Sequence, residues 1–150
     1  MSDLKHAEKS IKHAVAVVIY DGGGKFLAVR RSEDDDSLPG VWGLPAASLR
    51  PGESDADAVL RAGREKLGVT LEVDSRVGTD RIERDTYILE LTDYVASVAQ
   101  GQPSVPQPIS DVSQYVDLQY TSDLGLLVEA ARGGSLCSRV LLDSKGYEWR

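Results

Sequence analysis

The run His13 to Tyr20 (HAVAVVIY) constrains the fold of this chain more than any other segment. Successive side chains of a strand point to opposite faces, so a β-branched run that is apolar at both parities must be covered on both sides. A strand of that kind sits in the middle layer of three. The expectation is a three-layer protein with this strand's sheet in the middle. At 150 residues and 41% hydrophobic composition, a single domain spanning 1–150 is expected, with 1–12 a flexible or peripheral N-terminal segment. The glycine-rich turn Asp21-Gly22-Gly23-Gly24, followed by Lys25 to Arg31 (KFLAVRR), predicts a hairpin with the first strand.

Charge narrows the partners. A net charge of -7 offers no basic field for a nucleic-acid backbone, so no nucleic-acid partner is expected. A small phosphorylated ligand would need a local positive site or a metal. Met1 to Ser10 lacks the apolar core of a signal peptide, and no segment is long and apolar enough to span a membrane. Cys137 is the only cysteine, which excludes an intrachain disulfide and a cysteine-built zinc site. A cytoplasmic protein without a membrane partner is expected, and a homodimer is compatible with the sequence.

Further along, Ser32 to Gly40 carries Glu33, Asp34, Asp35 and Asp36 and reads as a solvated loop. Val41 to Pro45 is a short apolar strand, and Pro51-Gly52 a turn. Ser54 has the position of an N-cap, with Asp57 at capping-box spacing, for a helix that runs to Leu67 and stops at Gly68. Helical periodicity places Ala56, Val59, Leu60, Gly63 and Leu67 on the core face, with Arg61 and Glu65 opposite. Val69 to Val73, Arg84 to Ala99 and Tyr115 to Tyr120 read as strands, the second carrying Tyr87, Leu89 and Leu91 on one face. The proline-rich stretch Gly101 to Pro108 is a connection. A last long helix capped by Thr121 or Ser122 carries Leu124, Leu127, Val128 and Ala131 and stops at Gly133-Gly134. Ser135 to Leu142 is a short helix.

The segment that carries chemistry is WGLPAASLRPGESDADAVLRAGREKLGV, Trp42 to Val69. It resembles the Nudix box, G-x5-E-x7-R-E-U-x-E-E-x-G-U, where U is a bulky aliphatic residue. Glu53 matches the first glutamate, Arg61 follows after seven residues, Glu65 lies four further on, and Gly68-Val69 closes the pattern. The preceding strands extend the resemblance over residues 13–130. It implies an α/β fold, a Nudix-type α/β/α sandwich with a mixed β-sheet, and hydrolysis of a diphosphate bond in a nucleoside diphosphate derivative. In that family three glutamates on one helical face hold Mg²⁺ against the substrate phosphates, and the arginine braces the loop and the box glutamates. Here the opening glycine is Ala47, the glutamate after the arginine is Ala62, the aliphatic position is Gly63, and the last glutamate is Lys66.

The resemblance thus implies Glu53, Arg61, Glu65 and Lys66 as catalytic candidates, with Glu65 and Glu53 holding Mg²⁺ or Mn²⁺. Magnesium is commonly held by one or two carboxylates plus waters and phosphate oxygens, so binding of a metal–nucleotide complex survives, while metal-assisted water attack lacks the glutamate that would align and deprotonate the water. Three readings follow: a hydrolase with a depleted glutamate set, an inactive module that binds a nucleotide or a protein partner, and an altered chemistry in which Lys66 takes part. Taken alone, Asp57, Arg61 and Glu65 are an ordinary solvated ion-pair ladder, and Glu53 a surface turn residue. Asp111 and Asp117 are candidates for a late carboxylate, and Arg30 or Arg31 for a phosphate contact, one of the two pointing away. The acidic run reads as a water-facing loop, His6 and His13 as lacking further metal ligands, and Cys137 as packing.

Overall fold

The computed structural model describes residues 9–35, 37–105 and 115–150. Among the described residues, seven strands are arranged in two sheets. The larger, in the order β4-β1-β6-β5, contains β1 (Ser10–Ile19), β4 (Ala46–Ser48), β5 (Thr70–Glu83) and β6 (Tyr87–Gln100). The smaller, in the order β3-β2-β7, contains β2 (Phe26–Arg31), β3 (Trp42–Gly43) and β7 (Tyr115–Thr121). β1 runs parallel to β6 and antiparallel to β4, so the larger sheet is mixed as expected.

The expected hairpin between β1 and β2 is not formed. Only Tyr20 and Phe26 bridge, after which β2 turns away to pair with β3 and β7. The turn itself is built as its sequence suggests, with Asp21 Oδ1 accepting the Gly23 and Lys25 N–H groups. β1 also begins at Ser10 rather than His13, because Ser10 to Lys12 pair with β6 beyond the apolar run. These residues are exposed.

The two faces of β1 feed two cores. Ala14, Ala16 and Val18 pack with Phe26, Ala28, Leu127, Leu141 and Leu142. Val15, Val17 and Ile19 pack with Leu27, Val29, Val59, Leu67 and Leu71. The first core lies under the C-terminal helices and the second under the helix of the Trp42 to Val69 segment, which gives the three-layer α/β/α sandwich. The alternation within one strand is what the two-sided apolar run demanded.

Helix α1 (Asp55–Ala62) is capped by Ser54, whose hydroxyl accepts the Asp57 N–H. It continues as a π-helical turn over Gly63–Leu67 and ends at Gly68 in the left-handed conformation. Its buried residues are Ala58, Val59, Arg61 and Ala62, with Gly63 and Leu67 after them. The expected stripe is therefore rotated at its start: Ala56 is exposed and Ala58 is buried. Gly63 is a packing requirement, since a Cβ there would lie 2.7 Å from Leu71. The last long helix is instead broken into a 3-10 turn, Leu124–Leu127, and α2 (Val128–Arg132). Asp123, rather than Thr121 or Ser122, caps the turn by accepting the Gly125 N–H. Helix α3 (Leu136–Ser144) follows Gly133-Gly134 as expected.

One core position breaks the apolar pattern. Asp93 of β6 is fully buried, and neither of its carboxylate oxygens has a hydrogen-bond partner among the described residues. Burial holds its acid constant well above the usual aspartate value.

Candidate functional site

The turn at Gly52 and the N-terminus of α1 bring Glu53 under Arg61. The guanidinium spans the carboxylate in a fork, Nε to Oε2 and Nη2 to Oε1, both at 2.9 Å. Nη2 also donates to the Ser48 carbonyl at 2.7 Å, tying α1 to β4. Nη1 reaches Glu65 Oε1 at 3.4 Å, and Arg50 meets the same carboxylate at 3.3 and 3.4 Å. Arg61 is thus buried without entering the apolar core. Hydrogen bonds from Arg61, then the one from the Arg50 N–H, pull the Glu53 acid constant down to about 2. Glu53, Arg61 and Glu65 gather as one group beside the Val41 to Ser48 segment.

Lys66 takes a different route. Its ammonium donates to the Ala46 carbonyl and lies 5.5 Å over the Tyr115 ring. The Ala46 N–H in turn donates to the Tyr115 hydroxyl at 3.0 Å, so both backbone groups of Ala46 are held by side chains. Burial first, and then the positive charges of Arg31 and Arg61, pull Lys66 down to about 8, with Glu65 partly offsetting them. Burial pushes the Tyr115 phenol up to about 12. Sequence reasoning missed Ala46, Tyr115 and Arg50 as parts of this group. Only the Arg50 position beside the Pro51-Gly52 turn signalled anything; a backbone carbonyl carries no residue-type signal.

Next to Ala46 opens a cavity of about 330 Å³, lined by Arg31, Arg84, Tyr87, Leu89, Leu91, Ser135 and Cys137 among others. None of its lining residues is acidic. Arg31 and Arg30 separate as their strand positions require, Arg31 lining the cavity while Arg30 lies 3.7 Å from Glu33. Asp117 is exposed and accepts the N–H of Leu118. Asp111, Asp36 and His6 lie outside the described residues. Within the acidic run Asp35 is structural: it accepts the Ser37 and Leu38 N–H groups and pairs with Arg31 at 3.2 Å. His13 pairs with Glu90 at 3.1 Å, and Cys137 is buried against Ser135.

A metal centre of the kind implied by the glutamate pattern needs free hard oxygens facing one point. Both Glu53 oxygens are committed to Arg61, and the Ala46 carbonyl to Lys66. Glu65, with its long contacts to Arg50 and Arg61, is the one carboxylate of the group with capacity to spare. No group of three or more His, Cys, Asp or Glu side chains among the described residues could hold a metal ion. The donor set present does not fit a resident magnesium cluster. Ala62 adds to the mismatch, because it is 1% exposed and lies on the buried face of α1.

Comparison with known proteins agrees with this architecture. The NUDIX domain family matches residues 11–121. An isopentenyl-diphosphate Delta-isomerase of Mycolicibacterium vanbaalenii is 36% identical over 73 residues, covering 45% of this chain and 38% of that protein. The nucleoside triphosphatase NudI of an Enterobacter species is 31% identical over 62 residues, covering 41% and 44%. This chain thus aligns with less than half the length of either relative. Among solved structures, the E. coli ORF135 protein superposes with a TM-score of 0.70 at 21% identity, covering 91% of this chain and 92% of that one. A MutT protein from Methanosarcina mazei Go1 gives 0.69 at 21% identity, covering 92% and 98%. No helix among the described residues is long and apolar enough to cross a membrane. With a domain match across most of its length and the matching three-layer fold, the chain belongs to the NUDIX domain family.

Proposed function

We propose that this chain recognises the diphosphate of a nucleoside diphosphate derivative in the cavity beside Ala46, and that cleavage of the bound diphosphate is slow. The carrying observation is the cavity itself. In a chain of net charge -7, its lining holds the guanidinium-bearing residues Arg31 and Arg84 and no carboxylate, while Tyr87, Leu89 and Leu91 offer an apolar wall suited to a base or another flat group. The names of the relatives support the class of ligand: one acts on nucleoside triphosphates and another on isopentenyl diphosphate.

Slow turnover follows from the donor set. Nudix hydrolases generally use a divalent metal such as Mg²⁺. Here Ala62 and Lys66 stand where the resemblance places glutamates, and Glu53 is locked to Arg61. Loss of a positioned general base costs roughly 10²- to 10⁴-fold in rate. Full hydrolytic activity is the second reading, favoured by the partial exposure of Glu65.

The test is a panel of nucleoside diphosphate derivatives, followed by thermal shift and by release of phosphate or nucleotide in Mg²⁺ and Mn²⁺. A saturable rise in melting temperature is expected. Release should be slow, and Lys66→Glu, which restores a carboxylate at a partly exposed position of the turn, should be faster by roughly 10²-fold, the low end of what a positioned base supplies. A wild type that turns over faster than this variant overturns the slow-cleavage reading. No thermal shift and no release with any compound overturns the ligand class.

A further inference from the structure

Lys66 is a half-buried cation whose surroundings are themselves positive. Its ammonium is anchored on the Ala46 carbonyl, and no carboxylate among the described residues lies within ion-pair distance of it. The neighbouring charges that act on it most strongly are the guanidiniums of Arg31 and Arg61. Arg61 is neutralised by the fork to Glu53. Among the described residues Arg31 has a single carboxylate contact, to Asp35 at 3.2 Å, and with Ala46 it lines the cavity, whose lining holds no acidic residue.

An ammonium carries three donors, of which the Ala46 carbonyl takes one. Lys66 is not itself among the lining residues, but it is hydrogen-bonded to Ala46, which with Arg31 is, so the remaining two donors meet an anion with several oxygens at the Ala46 end of the cavity. A divalent ion bound between the π-helical turn and β4 would neutralise a diphosphate from this end. To take the Ala46 carbonyl as a ligand it would have to displace the ammonium.

We propose that Lys66, held on Ala46 and backed by Arg31, is a built-in cation that lets this cleft bind a diphosphate without a divalent metal. The proposal rests on the reading of the cleft as a diphosphate site and replaces the metal in it with a side chain. A lysine is a compact point charge that binds phosphate oxygens well, though without the two-point geometry of arginine.

The experiment is titration calorimetry of the full chain with inorganic pyrophosphate and with ADP, in excess EDTA and in Mg²⁺. The wild type is expected to bind both probes in EDTA, with affinity within about threefold of that in Mg²⁺. Lys66→Met should weaken binding in EDTA by about tenfold to a hundredfold, the worth of one charge-assisted hydrogen bond. Lys66→Glu should reverse the metal dependence, with negligible binding in EDTA and recovery in Mg²⁺, and that recovery also shows the variant to be folded. Wild-type binding that requires Mg²⁺ leaves the cleft assignment standing and overturns the built-in cation. So does a Lys66→Met variant that binds as the wild type does in EDTA. Absence of wild-type binding in either buffer overturns both.

Discussion

Arg61 acts at the residue scale as a four-point clamp. It forks onto Glu53, reaches the Ser48 carbonyl and touches Glu65, with its side chain only 10% exposed. Removing one partner of a buried pair leaves the other desolvated and alone, so Arg61→Ala should cost about 3 kcal/mol, measured by urea unfolding. Arg61→Lys should recover little of it, because an ammonium cannot span a carboxylate in a fork. The Glu53 carboxyl makes a second prediction. Its acid constant is lowered from the ordinary 4.5 to about 2 in the fold, so its stabilisation is complete above pH 4.5 and disappears as pH falls towards 2. The difference in melting temperature between the wild type and Glu53→Gln should be constant near neutrality and shrink on acidification below that point. A difference that grows with acid would contradict the Arg61 pairing.

At the scale of elements, much of the layout was legible because local rules and tertiary demands agree. Ser54, Gly68 and the apolar run of β1 each satisfy a cap, a stop or a two-sided burial that local sequence can specify. The failures have physical causes. Periodicity at 3.6 residues put Ala56 on the core face, whereas the buried set is shifted to Ala58 and Ala62. The Gly63–Leu67 turn is wider than an α-helical one, so a fixed angle per residue does not apply there. The β1–β2 hairpin failed because turn chemistry fixes the turn but not the partners of the strands beyond it. In the site, Glu53, Arg61 and Glu65 were legible from spacing, while the anchoring of Lys66 on Ala46 and Tyr115 depends on long-range placement. Gly63 shows how such placement becomes a local demand. Gly63→Ala would press a methyl group into buried Leu71 and should cost about 1–3 kcal/mol. In combination with Leu71→Ala the loss should be less than the sum of the single losses, as a double-mutant cycle by urea unfolding would show.

For the whole molecule, the division of β1 between two cores means that neither outer layer has an independent foundation. Leu27 belongs to the core under α1 and Leu141 to the one under α3. Leu27→Ala and Leu141→Ala should each cost about 2–5 kcal/mol, and each should lower a single transition seen equally by far-UV circular dichroism and tryptophan fluorescence. Two separated transitions would show that the layers unfold independently. Asp93 adds a different kind of global property. Its raised acid constant means that the folded chain keeps this group as a neutral carboxylic acid at pH values where the unfolded chain has ionised it. At mildly acidic pH, above the ordinary aspartate value, folding is therefore a reaction in which this group takes up a hydrogen ion from solution. The apparent heat of refolding at mildly acidic pH should change with the ionisation heat of the buffer, acetate against MES, and that dependence should diminish in Asp93→Asn.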